Sequence, residues 1–228
     1  MTIDLNCDMG ELEDPAHEAA LMEHITSANI ACGGHAGDEA TMERTARLAL
    51  EHNVRIGAHP GYPDRANFGR IEMALTAEEI ERTVCAQIER LDAVVGRLGG
   101  ATVHVKPHGA LYNAAVRNQE VARAIGRGVA RWNNGVPVFG LAGSSMLDVW
   151  RGMGLEVAGE GFADRRYEPD GSLRSRRFPD ALIDDPQEAA AQAVRLARSG
   201  AVQTICVHGD TPGAVEILKA CREALLYQ

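Results

Sequence analysis

Short apolar segments alternate with longer amphipathic segments along the whole chain, and this alternation predicts a β/α protein. Brief apolar runs are typical of strands, whereas apolar residues spaced three and four positions apart are typical of helices. The predicted strands are residues 3–7, 27–31, 54–58, 102–106, 136–141, 155–158 and 204–207. The predicted helices are residues 16–25, 39–52, 77–98, 119–132, 186–198 and 213–226, with a short helix at 144–153.

The segment 163–185 differs from its surroundings because it is polar, rich in arginine and without periodicity. Such a segment predicts a long loop, which could act as a lid after the sixth strand. No linker or internal repeat interrupts the chain. Residues 1–228 are therefore expected to form a single domain.

Strict alternation of strands and helices permits either an open doubly wound sheet or a closed barrel. An open sheet collects its functional residues at one switch point, whereas a barrel collects them from all strand ends into one mouth. Polar clusters follow the predicted strands one, two, three, four, six and seven, as in LNCDMGE at the first and VHGD at the last. This distribution favours a seven-stranded parallel β/α barrel.

The strands also show an alternation of polar and apolar residues. Strands buried on both faces are usually apolar throughout, yet Asn6 and Asp8 oppose Leu5 and Cys7 in the first strand. Because side chains alternate across a strand, one face meets the helices and the other carries polar groups. We therefore expect a barrel whose interior is partly polar, with a site that reaches down from the mouth.

The overall charge excludes some classes of partner. The net charge is -9 and the pI about 5.4, which disfavours binding to nucleic acid or to an anionic membrane surface. There is no basic leader and no long apolar run, so we expect a cytoplasmic protein. The five cysteines are scattered without a C-x-x-C pair, which argues against a disulfide framework and a zinc knuckle.

Lysine is rare in this chain, since Lys106 and Lys219 stand among 23 basic residues that are otherwise arginine. Lys106 falls at the end of the predicted fourth strand. An ammonium group is a compact donor that can lose its proton when desolvated, which arginine cannot do. Lys106 is therefore a candidate for chemistry.

Acidic and imidazole side chains lie at or just beyond the strand ends. Converging groups of these kinds can bind a divalent metal or act as general acid and base near neutral pH, and the sequence does not choose between the two. Asp8, His35 and His59 are the candidate metal ligands. The full set of catalytic candidates is Asp8, His35, His59, Lys106, His108, His208 and Asp210.

Other residues are assigned to structure or to ligand binding. His104 lies on the polar face of the fourth strand and is interpreted as a structural hydrogen-bonding residue. Arg165 could bind a substrate carboxylate with two parallel hydrogen bonds. Neither a P-loop nor a G-x-G-x-x-G motif after a strand is present, so no standard nucleotide site is expected.

Taken together, the motifs resemble the LamB/YcsF family of ATP-dependent 5-oxoprolinase A subunits. The matching blocks run in order along almost the whole chain: LNCDMGE, SANIACGGHAGD, GAHPGYPDR with FGR, HVKPHGALYN, EGFADRRYEPDGSL and ICVHGDTPGAV. The resemblance implies a barrel related to polysaccharide deacetylase barrels. It further implies the ATP-dependent opening of 5-oxoproline, or a related small lactam, to glutamate, with ATP used together with partner subunits B and C.

The resemblance also implies a set of site residues. These are the seven catalytic candidates, with Asn6, Asn29, Glu160 and Arg165 as substrate-binding residues. In this hypothesis ATP phosphorylates the lactam oxygen and a base, Asp8 or Asp210 with a histidine, delivers water. Lys106 or a divalent metal would stabilise the developing oxyanion.

Two features depart from the family pattern and leave alternatives open. The segment ELEDPAHEAAL after the first motif is compact, and Ile71 stands where an arginine commonly follows FGR. Substrate identity and subunit docking are therefore less constrained than the fold. The alternatives are a metal-dependent deacetylase or amidohydrolase that acts without ATP, and a non-catalytic subunit that binds a lactam.

Overall fold

Seven parallel strands close into a barrel in the computed structural model, which describes residues 3–226. Neighbours in the chain are neighbours in the sheet, and the first strand closes the barrel by pairing with the last. The predicted seven-stranded parallel barrel is confirmed. The strands are β1 (Asp4–Met9), β2 (Ser27–Ala31), β3 (Arg55–His59), β4 (Thr102–Val105), β5 (Val138–Leu141), β6 (Val157–Phe162) and β7 (Thr204–Cys206).

Helices surround the barrel and cover its apolar outer face. They are α1 (Pro15–Met22), α2 (Glu39–Glu51), α3 (Ala77–Arg97), α4 (Gly109–Arg117), α5 (Gln119–Trp132), α6 (Ser145–Gly152), α7 (Pro186–Arg198) and α8 (Ala214–Leu226). The helix α4 was not predicted from the sequence. Its N-cap residue is His108, which makes no side-chain capping hydrogen bond, so the usual signal for a helix start is absent. No helix among residues 3–226 is long and apolar enough to cross a lipid bilayer.

The sixth strand lies further along the chain than predicted, and the prediction of residues 155–158 was wrong. Gly159 and Gly161 interrupt the apolar pattern. Because glycine is uncommon inside strands, the predicted strand ended before them. Glycine is required at position 159, where a Cβ atom would lie 2.4 Å from the carbonyl oxygen of Ala201. As a result Glu160 lies within the strand and is fully buried instead of following it.

The predicted loop at 163–185 contains no helix or regular strand, which confirms the loop. We call this segment the strap. It folds back on itself through two isolated antiparallel bridges, Arg165 with Leu182 and Tyr167 with Leu173. The hydroxyl of Tyr167 accepts a hydrogen bond of 2.7 Å from the amide of Phe162. The strap is therefore held against the end of β6.

The barrel interior is polar, as the alternation in the strands predicts. The amide of Asn29 donates to Asn6 Oδ1 at 2.7 Å and to Asp8 Oδ1 at 2.9 Å. Asn6 donates in turn to Glu160 Oε1 at 3.1 Å. His104 lies 2.8 Å from Asn29 Oδ1, which agrees with its interpretation as a structural residue. Because buried polar groups cost about 1–3 kcal/mol when unpaired, this network stabilises the interior.

Candidate active site at the barrel mouth

A cavity of about 460 Å³ opens at the carboxyl ends of the strands. Its mixture of charged side chains distinguishes it from the apolar core between the barrel and the helices. The strap contributes one wall, through Arg165 and the residues from 173 to 177. Six of the seven catalytic candidates line it, namely Asp8, His59, Lys106, His108, His208 and Asp210.

Lys106 is buried at the bottom of this cavity, one residue beyond the end of β4. Its Nζ donates to Asp8 Oδ1 at 2.7 Å and lies 3.1 Å from Glu160 Oε1. Asn6 Oδ1 at 3.3 Å and Cys206 Sγ at 3.0 Å complete its surroundings. Burial favours the neutral amine, but the adjacent carboxylates prevail and the pKa of Lys106 lies well above its usual value. The side chain therefore remains an ammonium ion.

Asp8 is the acidic centre of the cavity floor. Its Oδ1 accepts hydrogen bonds from Lys106 and Asn29, and its Oδ2 lies 3.3 Å from His59 Nε2. Burial acts to raise the pKa of Asp8, but His59 and Lys106 hold it well below the usual range. A carboxylate with so low a pKa is a weak base. Asp8 is better suited to holding its cationic neighbours in place than to removing a proton.

His208 follows β7 and forms a dyad with Asp164. The Asp164 carboxylate accepts from His208 Nδ1 at 3.0 Å, from the His208 amide at 2.9 Å and from Thr211 Oγ1 at 2.6 Å. Burial acts to raise the pKa of Asp164, but these contacts lower it to about 2. An ionised carboxylate fixes the proton of a neutral imidazole on Nδ1, which leaves Nε2 free to accept one. His208 also lines the cavity, so its geometry suits a general base.

A second group consists of three histidines around Glu11. Glu11 Oε1 lies 2.8 Å from His35 Nε2, 3.2 Å from His108 Nδ1 and 3.6 Å from His59 Nε2. Each side chain offers one ligand atom, and these four atoms lie within 4.8 Å of one another. Burial raises the pKa of Glu11, but its contacts with His108 and His35 prevail and lower it. Burial also lowers the pKa of His35 to about 4, which favours its neutral form.

Asp210 lies at the rim of the cavity and forms ion pairs with two arginines. Arg70 Nη2 donates to Asp210 Oδ2, and Arg176 Nη1 lies 3.3 Å from the same oxygen. Burial raises the pKa of Asp210, but Arg176, His208 and Arg70 lower it. The carboxylate therefore connects the strap to the loop after β3, and its low pKa disfavours a role as base.

Arg165 brings a positive charge to the cavity wall without a carboxylate partner. It is buried, its Nη2 donates to the carbonyl of Arg174 at 2.7 Å, and its Nε has no hydrogen-bond partner. Among residues 3–226 no carboxylate oxygen lies within 4.0 Å of the guanidinium. Burial and nearby Arg176 lower the pKa of Arg165 to about 10, so the group stays charged at neutral pH.

The remaining predicted residues lie below the cavity or beside it. Asn6, Asn29 and Glu160 are fully buried inside the barrel and support Asp8 and Lys106 from beneath instead of lining the cavity. His35 is fully buried behind the cavity wall and contacts Glu11. No role was predicted from the sequence for Glu11 or Asp164. Glu11 lies two residues beyond β1 in the motif LNCDMGE, and this position was a usable signal.

Known proteins are similar in sequence to this chain over nearly its whole length. The sequence matches the LamB/YcsF family over residues 3–228. The A subunit of 5-oxoprolinase from Chloroflexus aggregans is 46% identical over 240 residues, covering 99% of this chain and 95% of the relative. The corresponding 5-oxoprolinase A subunit of Pyrococcus furiosus is 45% identical over 245 residues, with coverages of 99% and 94%.

Solved structures agree with this relationship. A lactam utilization protein from Thermus thermophilus superposes with a TM-score of 0.92 at 40% identity, and the match covers 100% of this chain and 97% of the other. A putative cellobiose-phosphate cleavage protein from Enterococcus faecalis has a TM-score of 0.60 at 14% identity, over 98% and 93% of the chains. The second similarity concerns the fold alone.

Proposed function

This chain belongs to the LamB/YcsF family, and we propose that it is the A subunit of an ATP-dependent 5-oxoprolinase. In this proposal it opens the lactam of 5-oxo-L-proline to L-glutamate, acting with partner subunits B and C. The observation that carries the proposal is the mouth cavity, where an ammonium, a carboxylate–imidazole dyad and an unpaired arginine converge. Identity of about 45% to 5-oxoprolinase A subunits over nearly the whole chain supports the same conclusion.

His208 is the proposed general base. Its Nδ1 proton is held by Asp164, so Nε2 can take a proton from water in the cavity. The water oxygen then bonds to the carbonyl carbon of the lactam, the carbon–nitrogen bond breaks, and the ring nitrogen leaves as an amine after taking up a proton. Asp8 and Asp210 fit this role less well because cationic neighbours lower their pKa values.

Lys106 is proposed to act through its charge. Its Nζ already contacts Asp8, Glu160, Asn6 and Cys206, so its hydrogens are engaged by the protein. The ammonium nevertheless lies at the cavity floor, where a positive charge stabilises negative charge that develops on a substrate oxygen. Preorganised charge of this kind needs no rearrangement during the reaction.

Arg165 is proposed to bind the carboxylate of the substrate. A buried guanidinium that lines a cavity without a carboxylate partner is suited to bind an anion. The proposed substrate carries one carboxylate beside its ring. Binding at the wall formed by the strap would direct the lactam toward His208 and Lys106.

A five-membered lactam is an unstrained amide, and its carbonyl needs activation. We propose that ATP supplies this activation by phosphorylating the lactam oxygen with release of ADP, with the partner subunits contributing to nucleotide binding. Ring opening by the first water then leaves an acyl phosphate on the product, and a second water cleaves it to glutamate and phosphate. The lack of a standard nucleotide motif in this chain is compatible with that division of labour.

The cytoplasm is the proposed location, since the five free cysteines are all buried and unpaired as in a reducing compartment.

A reconstitution assay tests this function. Glutamate formation from 5-oxoproline is measured with this chain alone, with the candidate partner subunits alone and with all of them together, each with and without ATP. We expect glutamate only from the complete mixture with ATP, in step with phosphate release. Cleavage of an amide by this chain alone without ATP would instead support the metal-dependent amidohydrolase. Tight lactam binding, with turnover unaffected by Asp8→Asn and Lys106→Met, would support a non-catalytic subunit.

A further inference from the structure

The hydrogen bonds of two histidines in the cavity wall fix the positions of their ring protons. His59 Nδ1 lies 2.7 Å from the carbonyl oxygen of Lys106, and His108 Nε2 lies 2.8 Å from the carbonyl oxygen of Phe68. A carbonyl oxygen only accepts, so each of these nitrogens carries a hydrogen. In the neutral rings the other nitrogen of each residue therefore presents a lone pair.

The two nitrogens that present these lone pairs lie close to each other and to a carboxylate. His59 Nε2 and His108 Nδ1 are 3.0 Å apart, and Glu11 Oε1 lies 3.6 Å and 3.2 Å from them. None of the three atoms supplies a hydrogen to the others in this arrangement. Three electron-rich atoms within 3.6 Å of one another repel one another unless a proton or a metal ion lies between them.

We propose that Glu11, His59 and His108 bind a divalent transition-metal ion, with zinc as the preferred element. Bonds of 2.0–2.1 Å to a tetrahedral ion place its ligand atoms about 3.3 Å apart, and the three separations here are 3.0, 3.2 and 3.6 Å. Imidazole nitrogens favour zinc and similar ions over magnesium or calcium. Metal-bound histidines also commonly donate their second N–H to a backbone carbonyl, as both histidines do here.

The backbone at Phe68 supports a built site. Phe68 has φ of 55°, a left-handed conformation that is uncommon for residues other than glycine, and its carbonyl accepts from His108. Gly69 follows with φ of 61°, and its carbonyl accepts from the amide of Ala110 in α4. Such strain costs of order 1–3 kcal/mol and persists where the surrounding structure enforces it. Here the strained backbone directs the Phe68 carbonyl at Nε2 of His108, a proposed ligand.

His35 is a positioning residue in this proposal. Its ring is stacked on that of His108, with centroids 3.6 Å apart and planes 4° from parallel. One ion cannot lie in both of two parallel ring planes, so the two histidines cannot both be ligands in this orientation. His35 Nε2 instead lies 2.8 Å from Glu11 Oε1, where its N–H orients the carboxylate. The metal set therefore differs from the sequence-based candidates Asp8, His35 and His59.

The fourth position of the ion would face the cavity. Glu11, His59 and His108 all line the cavity, whereas His35 does not. Two imidazoles and one glutamate with an open position form a donor set known from catalytic zinc sites. An ion held there would polarise a carbonyl or a water in the cavity. Metal binding is measured on the isolated chain, without substrate, ATP or partner subunits. A failure of the metal proposal is therefore distinguishable from a failure of the proposed function.

The test is metal binding by the purified full-length chain. The protein is stripped with a chelator, and zinc and cobalt binding are measured by calorimetry and by metal analysis after dialysis. We expect one ion per chain, with cobalt giving the visible absorption of a four-coordinate nitrogen and oxygen site. Glu11→Gln and His59→Asn should each weaken binding at least about 100-fold. His35→Asn should weaken it about 10–100-fold, as for residues that orient a ligand.

His52→Asn is the matched control, because His52 is exposed at the end of α2, and its metal binding should equal that of the unmodified chain. Circular dichroism establishes that each variant is folded. The cobalt spectrum of the unmodified chain needs no substitution, so it tests the site even if a variant fails to fold. Sub-stoichiometric metal in the unmodified chain, or binding that Glu11→Gln and His59→Asn leave unchanged, would overturn the proposal.

Discussion

Replacing Lys106 by methionine should strongly destabilise the protein, because it leaves two buried carboxylates without their shared cation. Lys106 Nζ lies 2.7 Å from Asp8 Oδ1 and 3.1 Å from Glu160 Oε1. These two oxygens are thus at most 5.8 Å apart, the sum of the two distances. With both groups ionised, their repulsion at an effective dielectric constant near 20 is about 3 kcal/mol. Removal of one partner from a buried ion pair typically costs about 3–5 kcal/mol.

The assay is the free energy of unfolding in urea at pH 7.5, together with the melting temperature. For a chain of this size a loss of about 3–5 kcal/mol lowers the melting temperature by roughly 6–20 °C. Lys219→Met is the matched control, since Lys219 is the second lysine of the chain and is exposed on α8. Surface substitutions of this kind usually change stability by less than about 0.5 kcal/mol.

A double variant separates charge from packing. If repulsion between the carboxylates causes the loss, Glu160→Gln should recover part of the stability when it is combined with Lys106→Met. The same Glu160→Gln change should destabilise the unmodified chain, where Glu160 contacts the ammonium at 3.1 Å. Equal unfolding free energies for Lys106→Met and Lys219→Met, or no coupling in the double variant, would rule out this electrostatic explanation.

Three further substitutions probe the dyad, the cavity wall and the barrel interior. The pKa of Asp164 is lowered to about 2, so the stability that its ionised carboxylate gives the folded chain is complete above the unfolded value near 4 and is lost as the pH falls toward 2. Asp164→Asn should remove this loss of stability at acid pH and should lower the free energy of unfolding by about 2–3 kcal/mol at pH 7, measured by unfolding at a series of pH values. Arg165→Gln should raise KM for 5-oxoproline about 10–100-fold in the reconstituted complex, and Arg165→Lys should raise it less because the positive charge is kept. An unchanged KM for Arg165→Gln would contradict carboxylate binding by Arg165. Gly57→Ala should unfold the barrel in thermal melts because its Cβ would lie 2.0 Å from His104 Nε2. Gly96→Ala in α3 is the control, since its Cβ meets open space and should stabilise the chain by about 0.5–1 kcal/mol. An unchanged melting temperature for Gly57→Ala would contradict the close packing of His104 against Gly57.

The architecture was predictable because local signals and global fold agree in most elements. The second strand was predicted with the observed bounds of Ser27–Ala31, where a compact run of small and apolar residues is bounded by loops. The alternation around Asn6 and Asp8 predicted the polar interior that the structure contains. Strand alternation carries this information because it reports which face of a strand each side chain occupies.

The parts that sequence reasoning missed depend on contacts between distant segments. The helix α4 starts at His108 without a capping side chain, and glycines at 159 and 161 conceal β6. Asp164 receives its role only because the strap begins beside β7, which brings it 3.0 Å from His208 Nδ1. Periodicity describes an element's own faces and contains no information about such pairings.

The most direct test of the proposed chemistry is the turnover of His208→Asn in the complete complex with ATP. If His208 is the general base, glutamate formation should fall about 10²–10⁴-fold, while circular dichroism shows a folded chain that still assembles with the partner subunits. His52→Asn should retain full activity. Turnover by His208→Asn within a few-fold of the unmodified complex would contradict the claim that the chemistry takes place at the mouth of this barrel.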